Sequence, residues 1–276
     1  MLWIDGRLCR GADAVVSLFD RGARDGEGLF ETLRVHSRRP FQWDRHLERL
    51  VLSSAELGFP VMPSPSRLRE AVQQVLEAMN LTEAVIRITV TRGIPGGRPT
   101  RAGAWVEAEP LQGRLWAGTR VLGARATFSR LPFEPGSLGR HKTTSRLAYH
   151  LAREEARAAR ADEAILVSPT GQVLEGSVSN LLAVIDGEVL TPPLSSGVLP
   201  GLTRAFALEA CAGLGIPARE RPLAASELVE ADEMMLTNSV QQIVPVASLE
   251  GLPIRGRETT LRLLEVYRAT VDREIG

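Results

Sequence analysis

Arg140-His141-Lys142-Thr143-Thr144-Ser145 contains Lys142, the only lysine in a chain of 276 residues. Lysine and arginine together number 33, so arginine supplies the other 32 basic side chains. Positive surface charge is thus provided almost everywhere without lysine. One task cannot pass to arginine: a primary amine can lose its proton and condense with an aldehyde or ketone, whereas a guanidinium with a pKa above about 12 cannot. The solitary lysine points to amine chemistry, against the plainer alternative of a leftover surface residue in an arginine-rich composition.

Upstream, Leu2-Trp3-Ile4, Asp5-Gly6 and Arg7-Leu8 read as strand, tight turn and strand. A glycine-punctuated loop from Asp20 to Gly28 leads into the alternating strand Leu29 to Val35, and Phe41 to Trp43 reads as a returning strand. Asp44 is placed to cap a helix from Arg45 to Leu57, and Ser66 to Met79 keeps a helical apolar period. Strands over 84–91 and 103–109 flank the loop Gly93 to Pro99. This half reads as an α+β domain with a mostly antiparallel sheet, spanning 1–112. A polar stretch at 113–118 reads as a linker, and 119–276 as the second domain, opening with a strand over 119–126. Downstream of Lys142 come a helix over 145–160, strands over 164–167, 172–174 and 181–184, and a helix over 202–214. The strand Met234 to Leu236 and a terminal helix over 259–274 complete the pattern.

The charges balance at +0, and the longest basic run is Arg38-Arg39, which argues against nucleic acid or an anionic membrane as a partner. Cys9 and Cys211 lie far apart without metal-ligand spacing, and the four histidines form no zinc motif. The N-terminus lacks the charged and long apolar regions of a signal peptide, and no uncharged apolar run approaches the ~20 residues needed to span a bilayer. A cytoplasmic location is expected by default.

A carbonyl cofactor held by Lys142 would need an acid to keep a ring nitrogen protonated and a cradle for any phosphate. Glu175 interrupts an apolar strand, where an unpaired carboxylate would cost several kcal/mol. It reads equally as a strand-end glutamate facing solvent. Gly201-Leu202-Thr203 opens a helix whose first-turn N–H groups point at an anion, with the Thr203 hydroxyl beside them; an ordinary helix start reads as well. Ser239 ends a buried strand. Arg49 lies on the helix after Trp43, as a phosphate ligand or a solvated helix-face charge. Arg21, Arg24, Arg34 and Arg98 lie near glycine-rich loops, and one of them could hold a substrate carboxylate.

Together these pieces resemble the fold-type IV, pyridoxal-phosphate-dependent enzymes: branched-chain aminotransferases, D-amino acid aminotransferases and 4-amino-4-deoxychorismate lyases. The resemblance rests on Asp20-Arg21-Gly22 with Gly26-x-Gly28-Leu-Phe-Glu-Thr, His46-Leu-Glu-Arg49-Leu, Lys142, Glu175-Gly-Ser-x-Ser-Asn180, Gly201-Leu-Thr-Arg204, and Ala231-Asp-Glu233 running to Thr237-Asn-Ser239 and Pro245-Val246. It implies a small N-terminal α+β domain and a larger C-terminal mixed-sheet, barrel-like domain. Lys142 resembles the Schiff-base lysine and Glu175 the partner of the pyridine nitrogen. Arg49, Leu202, Thr203 and Ser239 resemble the phosphate cup, and the matched motifs add Ser177 and Asn238 to the cofactor contacts. Phe30 resembles the wall of the substrate pocket, with Arg34 and Arg98 as further substrate contacts. The resemblance also implies amino and keto acids as small-molecule partners, and a homodimer with its active site near the subunit interface.

The branches differ at several positions. D-amino acid enzymes typically carry tyrosine at the place of Phe30 and Arg-x-His at the place of Arg98-Pro99-Thr100. Many lyases show Lys-His-x-Asn-Arg-Leu where this chain has Lys142-Thr-Thr-Ser-Arg-Leu147, while Thr237-Asn238-Ser239 is lyase-like. Branched-chain enzymes usually carry tyrosine five residues after the lysine, where Leu147 stands. The resemblance therefore implies transamination between an amino acid or amine and a 2-keto acid. Its alternative is the lyase reaction, which eliminates pyruvate to give 4-aminobenzoate without an amino acceptor.

Overall fold

The computed structural model describes residues 1–96, 102–115 and 123–276. Arg98, most of the 93–101 loop, much of the 113–118 linker and the first residues of the strand expected over 119–126 fall outside them. The chain divides into two compact units. Unit 1 comprises Met1–Arg114, His141–Ser145 and Ile275, and unit 2 comprises Leu115–Arg140, Arg146–Glu274 and Gly276. The segment bearing Lys142, which the sequence places in the C-terminal domain, therefore packs with unit 1.

Unit 1 begins with strands β1 (Leu2–Ile4) and β2 (Arg7–Cys9) and the short helix α1 (Arg21–Asp25). Strands β3 (Gly28–His36) and β4 (Arg39–Pro40) follow, then helices α2 (Trp43–Glu56) and α3 (Pro65–Ala78), and strands β5 (Ala84–Thr91) and β6 (Ala104–Pro110). The sheet order is β2-β1-β6-β5-β3-β4, with every pairing antiparallel. Alternation along β3 decides its two faces. Leu29, Leu33 and Val35 join Trp43, Leu47 and Leu50 of α2 and Leu68, Val72, Val75 and Leu76 of α3 in one apolar core. Each such side chain, fully buried, contributes roughly 1.5–3 kcal/mol. Phe30, Thr32 and Arg34 point to the other face, where the register sets Thr32 opposite Arg87 and Phe30 opposite Thr89 of β5.

Three local expectations change. The strand expected over Phe41–Trp43 is instead β4 at Arg39–Pro40, and Trp43 already begins α2. Asp44 does not cap α2; Gln42 holds that place with φ 52° and no side-chain cap bond, and Asp44 lies in the first turn. The side chain that caps α3 is Ser64, which accepts from the Arg67 N–H, with Pro65 in the first helical position.

Unit 2 contains β7 (Ala124–Phe128), α4 (Leu147–Ala158), β8 (Glu163–Val167), β9 (Val173–Gly176), β10 (Asn180–Ile185) and β11 (Glu188–Thr191). It continues with α5 (Leu202–Leu214), β12 (Ala218–Glu220), α6 (Ala225–Val229), β13 (Glu233–Asn238), β14 (Gln242–Leu249), β15 (Leu252–Pro253) and α7 (Glu258–Ile275). Its mixed sheet runs β12-β11-β10-β13-β14-β7-β8-β9, with β15 paired to β14, and curls as a half-barrel. Ala124, Ile165, Leu181, Leu236 and Val246 are among the side chains of its core.

Candidate active site

In unit 1 the 141–145 segment lies along the start of β3. The Phe30 N–H donates to the Lys142 carbonyl at 2.9 Å, and the Thr144 N–H donates to the Gly28 carbonyl at 2.8 Å. The Thr144 and Ser145 hydroxyls both donate to the Gly26 carbonyl, at 2.9 and 3.0 Å. Gly28 must be small, because a Cβ there would stand 2.7 Å from Thr144 Oγ1. His141 is buried, with Nδ1 3.1 Å from Ser53 Oγ and Nε2 3.6 Å from Glu56 Oε2, both on α2. The lysine itself is half-buried. Its Nζ stands 4.8 Å from the centroid of the Phe30 ring, and Arg87 Cζ stands 3.7 Å from the same centroid.

His46, Arg49, Ser53 and Glu56 recur at three- and four-residue spacing and so share one side of α2. Within that stripe His46 and Arg49 meet Glu31, which is 0% exposed. Arg49 donates from Nε to Oε1 and from Nη2 to Oε2, each at 2.7 Å, and His46 Nδ1 lies 2.7 Å from Oε2. Burial pushes the Glu31 carboxyl up, but the Arg49 charge and the His46 hydrogen bond outweigh it and hold the pKa at about 2. Burial depresses His46, and the charges of Arg49 and Lys142 add to that depression against the pull of Glu31. An ionised Glu31 can only accept, so a neutral His46 carries its proton on Nδ1.

In unit 2, Glu175 at the end of β9 is buried. Tyr149 OH donates to its Oε1 at 3.2 Å, and Asn180 Nδ2 and the Leu199 N–H donate to its Oε2 at 3.1 Å each. The loop after it is gathered by a second carboxylate, Glu163, which is 0% exposed. Glu163 accepts from the Ser177 and Ser179 hydroxyls and from the N–H groups of Ala164, Ser177 and Val178. Burial raises its pKa against these donors. The Ser177 hydroxyl is thus engaged inside the protein rather than presented to a ligand.

Gly201 caps α5 without a side-chain hydrogen bond, and Leu202 and Thr203 open the helix. Thr203 Oγ1 is buried without a hydrogen-bond partner, and so is Thr237 Oγ1 on β13. Asn238 ends β13, and its side-chain oxygen accepts from the Val240 and Gln241 N–H groups, shaping the turn that holds Ser239. Arg204, next to Thr203, is engaged by Thr191, Pro192 and Glu220.

Sequence reasoning places Glu31 and His46 only within matched motifs, without a role of their own, and does not single out Arg87, Tyr149 or Glu163 for the site. Glu31 interrupts an apolar strand, the signal that singled out Glu175, whereas Glu163 opens one. Arg87 could have been found from strand alternation, since Arg87 and Thr89 share a face of β5. Among the described residues, no group of His, Cys, Asp or Glu is arranged to hold a metal ion.

The family model for class IV amino-transferases matches residues 28–249. The chain belongs to the class IV aminotransferases. It is a pyridoxal-phosphate-dependent transaminase with the expected fold-type IV architecture. The branched-chain-amino-acid aminotransferase of Escherichia coli K12 is 30% identical over 271 residues, covering 92% of this chain and 86% of that protein. The D-alanine aminotransferase of Listeria monocytogenes is 27% identical over 261 residues, covering 91% of this chain and 88% of that one. The solved structure of an aminotransferase from Mycobacterium tuberculosis in its pyridoxal-phosphate-bound form superposes with a TM-score of 0.88 at 26% identity, covering 99% of each chain. The residues of this class IV aminotransferase fit the cofactor. Two buried hydroxyl oxygens without partners, one of them at the N-terminus of α5, suit an anion, and a buried carboxylate held by three donors suits a protonated ring nitrogen.

Proposed function

We propose that this transaminase exchanges the amino group of an amino acid with a 2-keto acid, with Lys142 as its catalytic amine. The observation that carries this reading is the placement of the only lysine, pinned by backbone hydrogen bonds to the start of β3 with Nζ over the Phe30 ring. Pyridoxal phosphate, when bound, supplies the electron sink that stabilises negative charge at the substrate Cα. Lys142 Nζ would hold the cofactor through its carbonyl carbon and would move the proton at the substrate Cα. Glu175 pairs with the ring nitrogen. The Arg49 guanidinium, the Leu202 and Thr203 N–H groups, and the Thr203 and Ser239 hydroxyls hold the phosphate.

Phe30 forms an apolar wall beside the reacting atoms. For the substrate carboxylate we add Arg87 to Arg34 and Arg98, because its guanidinium shares the Phe30 ring with Lys142 Nζ. We further propose a homodimer. Support comes from exposed Val15, Leu18 and Phe19 on unit 1, a run of apolar surface of the kind that a partner covers. A cytoplasmic location is supported by two free cysteines and, among the described residues, by no helix long and apolar enough to cross a membrane.

Borohydride reduction followed by peptide mapping tests the central assignment. With one lysine in the chain, the pyridoxyl label maps to Lys142, and Lys142→Ala loses the label and the turnover together. A variant that keeps near-normal turnover would sink the assignment. Conversion of the bound cofactor to its amino form by an amino donor alone, and back by a keto acid, identifies transamination; pyruvate release without a keto acid identifies the lyase reaction.

A further inference from the structure

Leu147, five residues after Lys142, is 73% exposed. Two residues further along α4, Tyr149 turns inward and is 9% exposed. Its hydroxyl donates to Glu175 Oε1 at 3.2 Å, and its ring meets Phe133 edge-on at a centroid distance of 4.7 Å. On that ring lies Arg146, with Cζ 3.5 Å from the centroid. The same guanidinium donates from Nη2 to the carbonyl of Ser177, two residues beyond Glu175, at 3.0 Å.

We propose that Arg146 and Tyr149 act as a positioning pair that keeps Glu175 ionised and aimed, and thereby keeps the proton on the cofactor's ring nitrogen. The inference rests on the reading of Glu175 as that nitrogen's partner. A buried carboxylate beside a pyridine nitrogen can share one proton in two ways. On the ring, the proton makes the cofactor a strong electron acceptor; on Glu175, it leaves a weak one. Every donor to the carboxylate favours the anion and so sends the proton to the ring. Asn180 and the Leu199 N–H serve Oε2, while Tyr149 serves Oε1. Tyr149 is suited to donate rather than ionise, because burial and the neighbouring Glu175 charge push its phenol above the ordinary tyrosine range. Arg146 brings positive charge to the ring face and ties it to the loop that carries Glu175. Arg146 stands at the N-cap of α4 and Tyr149 in its first turn, so the start of the helix that follows Lys142 in sequence also sets the electronic state of the cofactor ring.

Tyr149→Phe removes one hydroxyl and keeps the ring, its contact with Phe133 and its surface for Arg146. The holoenzyme, reconstituted with pyridoxal phosphate labelled with 15N in the ring, is compared with Tyr149→Phe, Arg146→Met and Glu175→Gln by the 15N chemical shift of the ring nitrogen. In Tyr149→Phe the shift moves toward the unprotonated value, kcat falls with little change in KM, and cofactor binding weakens roughly tenfold, the scale of one hydrogen bond to a charged group. Arg146→Met moves the shift in the same direction by less, and still decides the matter if Tyr149→Phe does not fold. A wild-type shift and kcat in both variants, with the shift moved in Glu175→Gln, overturn the proposal and leave the Glu175 reading standing. A wild-type shift in Glu175→Gln overturns that reading itself.

Discussion

Arg49, partly buried on α2, holds the fully buried Glu31 of β3 by two parallel bonds, Nε to Oε1 and Nη2 to Oε2, both 2.7 Å long. The arginine assigned to the cofactor phosphate is therefore aimed by a carboxylate rooted in the strand that also carries Phe30. Phe30 and Glu31 are neighbours in sequence but point to opposite faces of the sheet. One strand thus carries both the residue proposed for the substrate wall and the carboxylate that holds the arginine proposed for the phosphate.

Glu31 makes acid stability a readout of that geometry. Its pKa is about 2 in the folded chain against an ordinary glutamate value of 4.5, so the unfolded chain binds the proton more readily. The stabilisation is complete above about pH 4.5, declines below it, and is gone once the pH has fallen through about 2. The difference corresponds to about 3 kcal/mol. His46, also depressed, adds a loss of the same sign that begins as the pH falls below 6.5. Glu31→Gln should lower the urea midpoint at pH 7 by an amount equivalent to about 3 kcal/mol and flatten the dependence between pH 5 and pH 2. An unchanged midpoint at pH 7 would contradict the buried ion pair.

Thr203→Val should have opposite effects on apoenzyme and holoenzyme. Thr203 Oγ1 is buried with no hydrogen-bond partner in the protein, and an unmatched hydroxyl costs about 1–3 kcal/mol. Valine removes that penalty at nearly the same volume, so the apoenzyme melts at the same or a higher temperature. Phosphate binding loses a donor, so cofactor affinity falls roughly tenfold. Calorimetric melting of the apoenzyme and titration with pyridoxal phosphate check both signs. A variant that destabilises the apoenzyme and leaves affinity alone would mean that the hydroxyl serves the fold.

Gly201→Ala should unseat Glu175 from a distance. A Cβ at Gly201 would lie 1.8 Å from Asn180 Oδ1, so the amide must move. Its Nδ2 then gives up its bonds to Glu175 and to the Leu199 carbonyl. The expected cost is about 1–3 kcal/mol of stability, as for other overpacked sites, together with weaker cofactor binding. Paired measurement of urea midpoint and cofactor affinity decides; wild-type values for both would show that the amide holds nothing.

Much of the proposed site is legible in the sequence because it is written in short runs. Lys142 stood out by composition, Glu175 by breaking an apolar strand, and Leu202 and Thr203 by following Pro-Gly into a helix whose observed bounds, Leu202–Leu214, agree with the periodicity. The α2 start differs from expectation because Asp44 is a good capping residue by type, whereas burial of Trp43 draws the helix two residues earlier and leaves Gln42 in a left-handed conformation. Strands β11 and β14 were passed over. Glu188–Thr191 is only four residues long, and Gln242–Leu249 carries a proline in its interior. Glu31 with Arg49, and Tyr149 with Glu175, lie 18 and 26 residues apart, and no period in the sequence announces such partners. Only the folded register brings them together.

The docking of Thr143 and Thr144 along β3 also bears on how the chain is made. The Phe30 N–H and the Gly28 carbonyl wait for partners at Lys142 and Thr144, more than a hundred residues later. As the polypeptide leaves the ribosome, the N-terminal sheet can assemble its helices and long strands, yet this edge cannot be closed until the chain has grown past Ser145. A fragment ending at Arg114 would be an unfinished sheet without the lysine proposed as the catalytic amine. Complementation with a fragment beginning before His141 would have to restore strand edge and chemistry in one step.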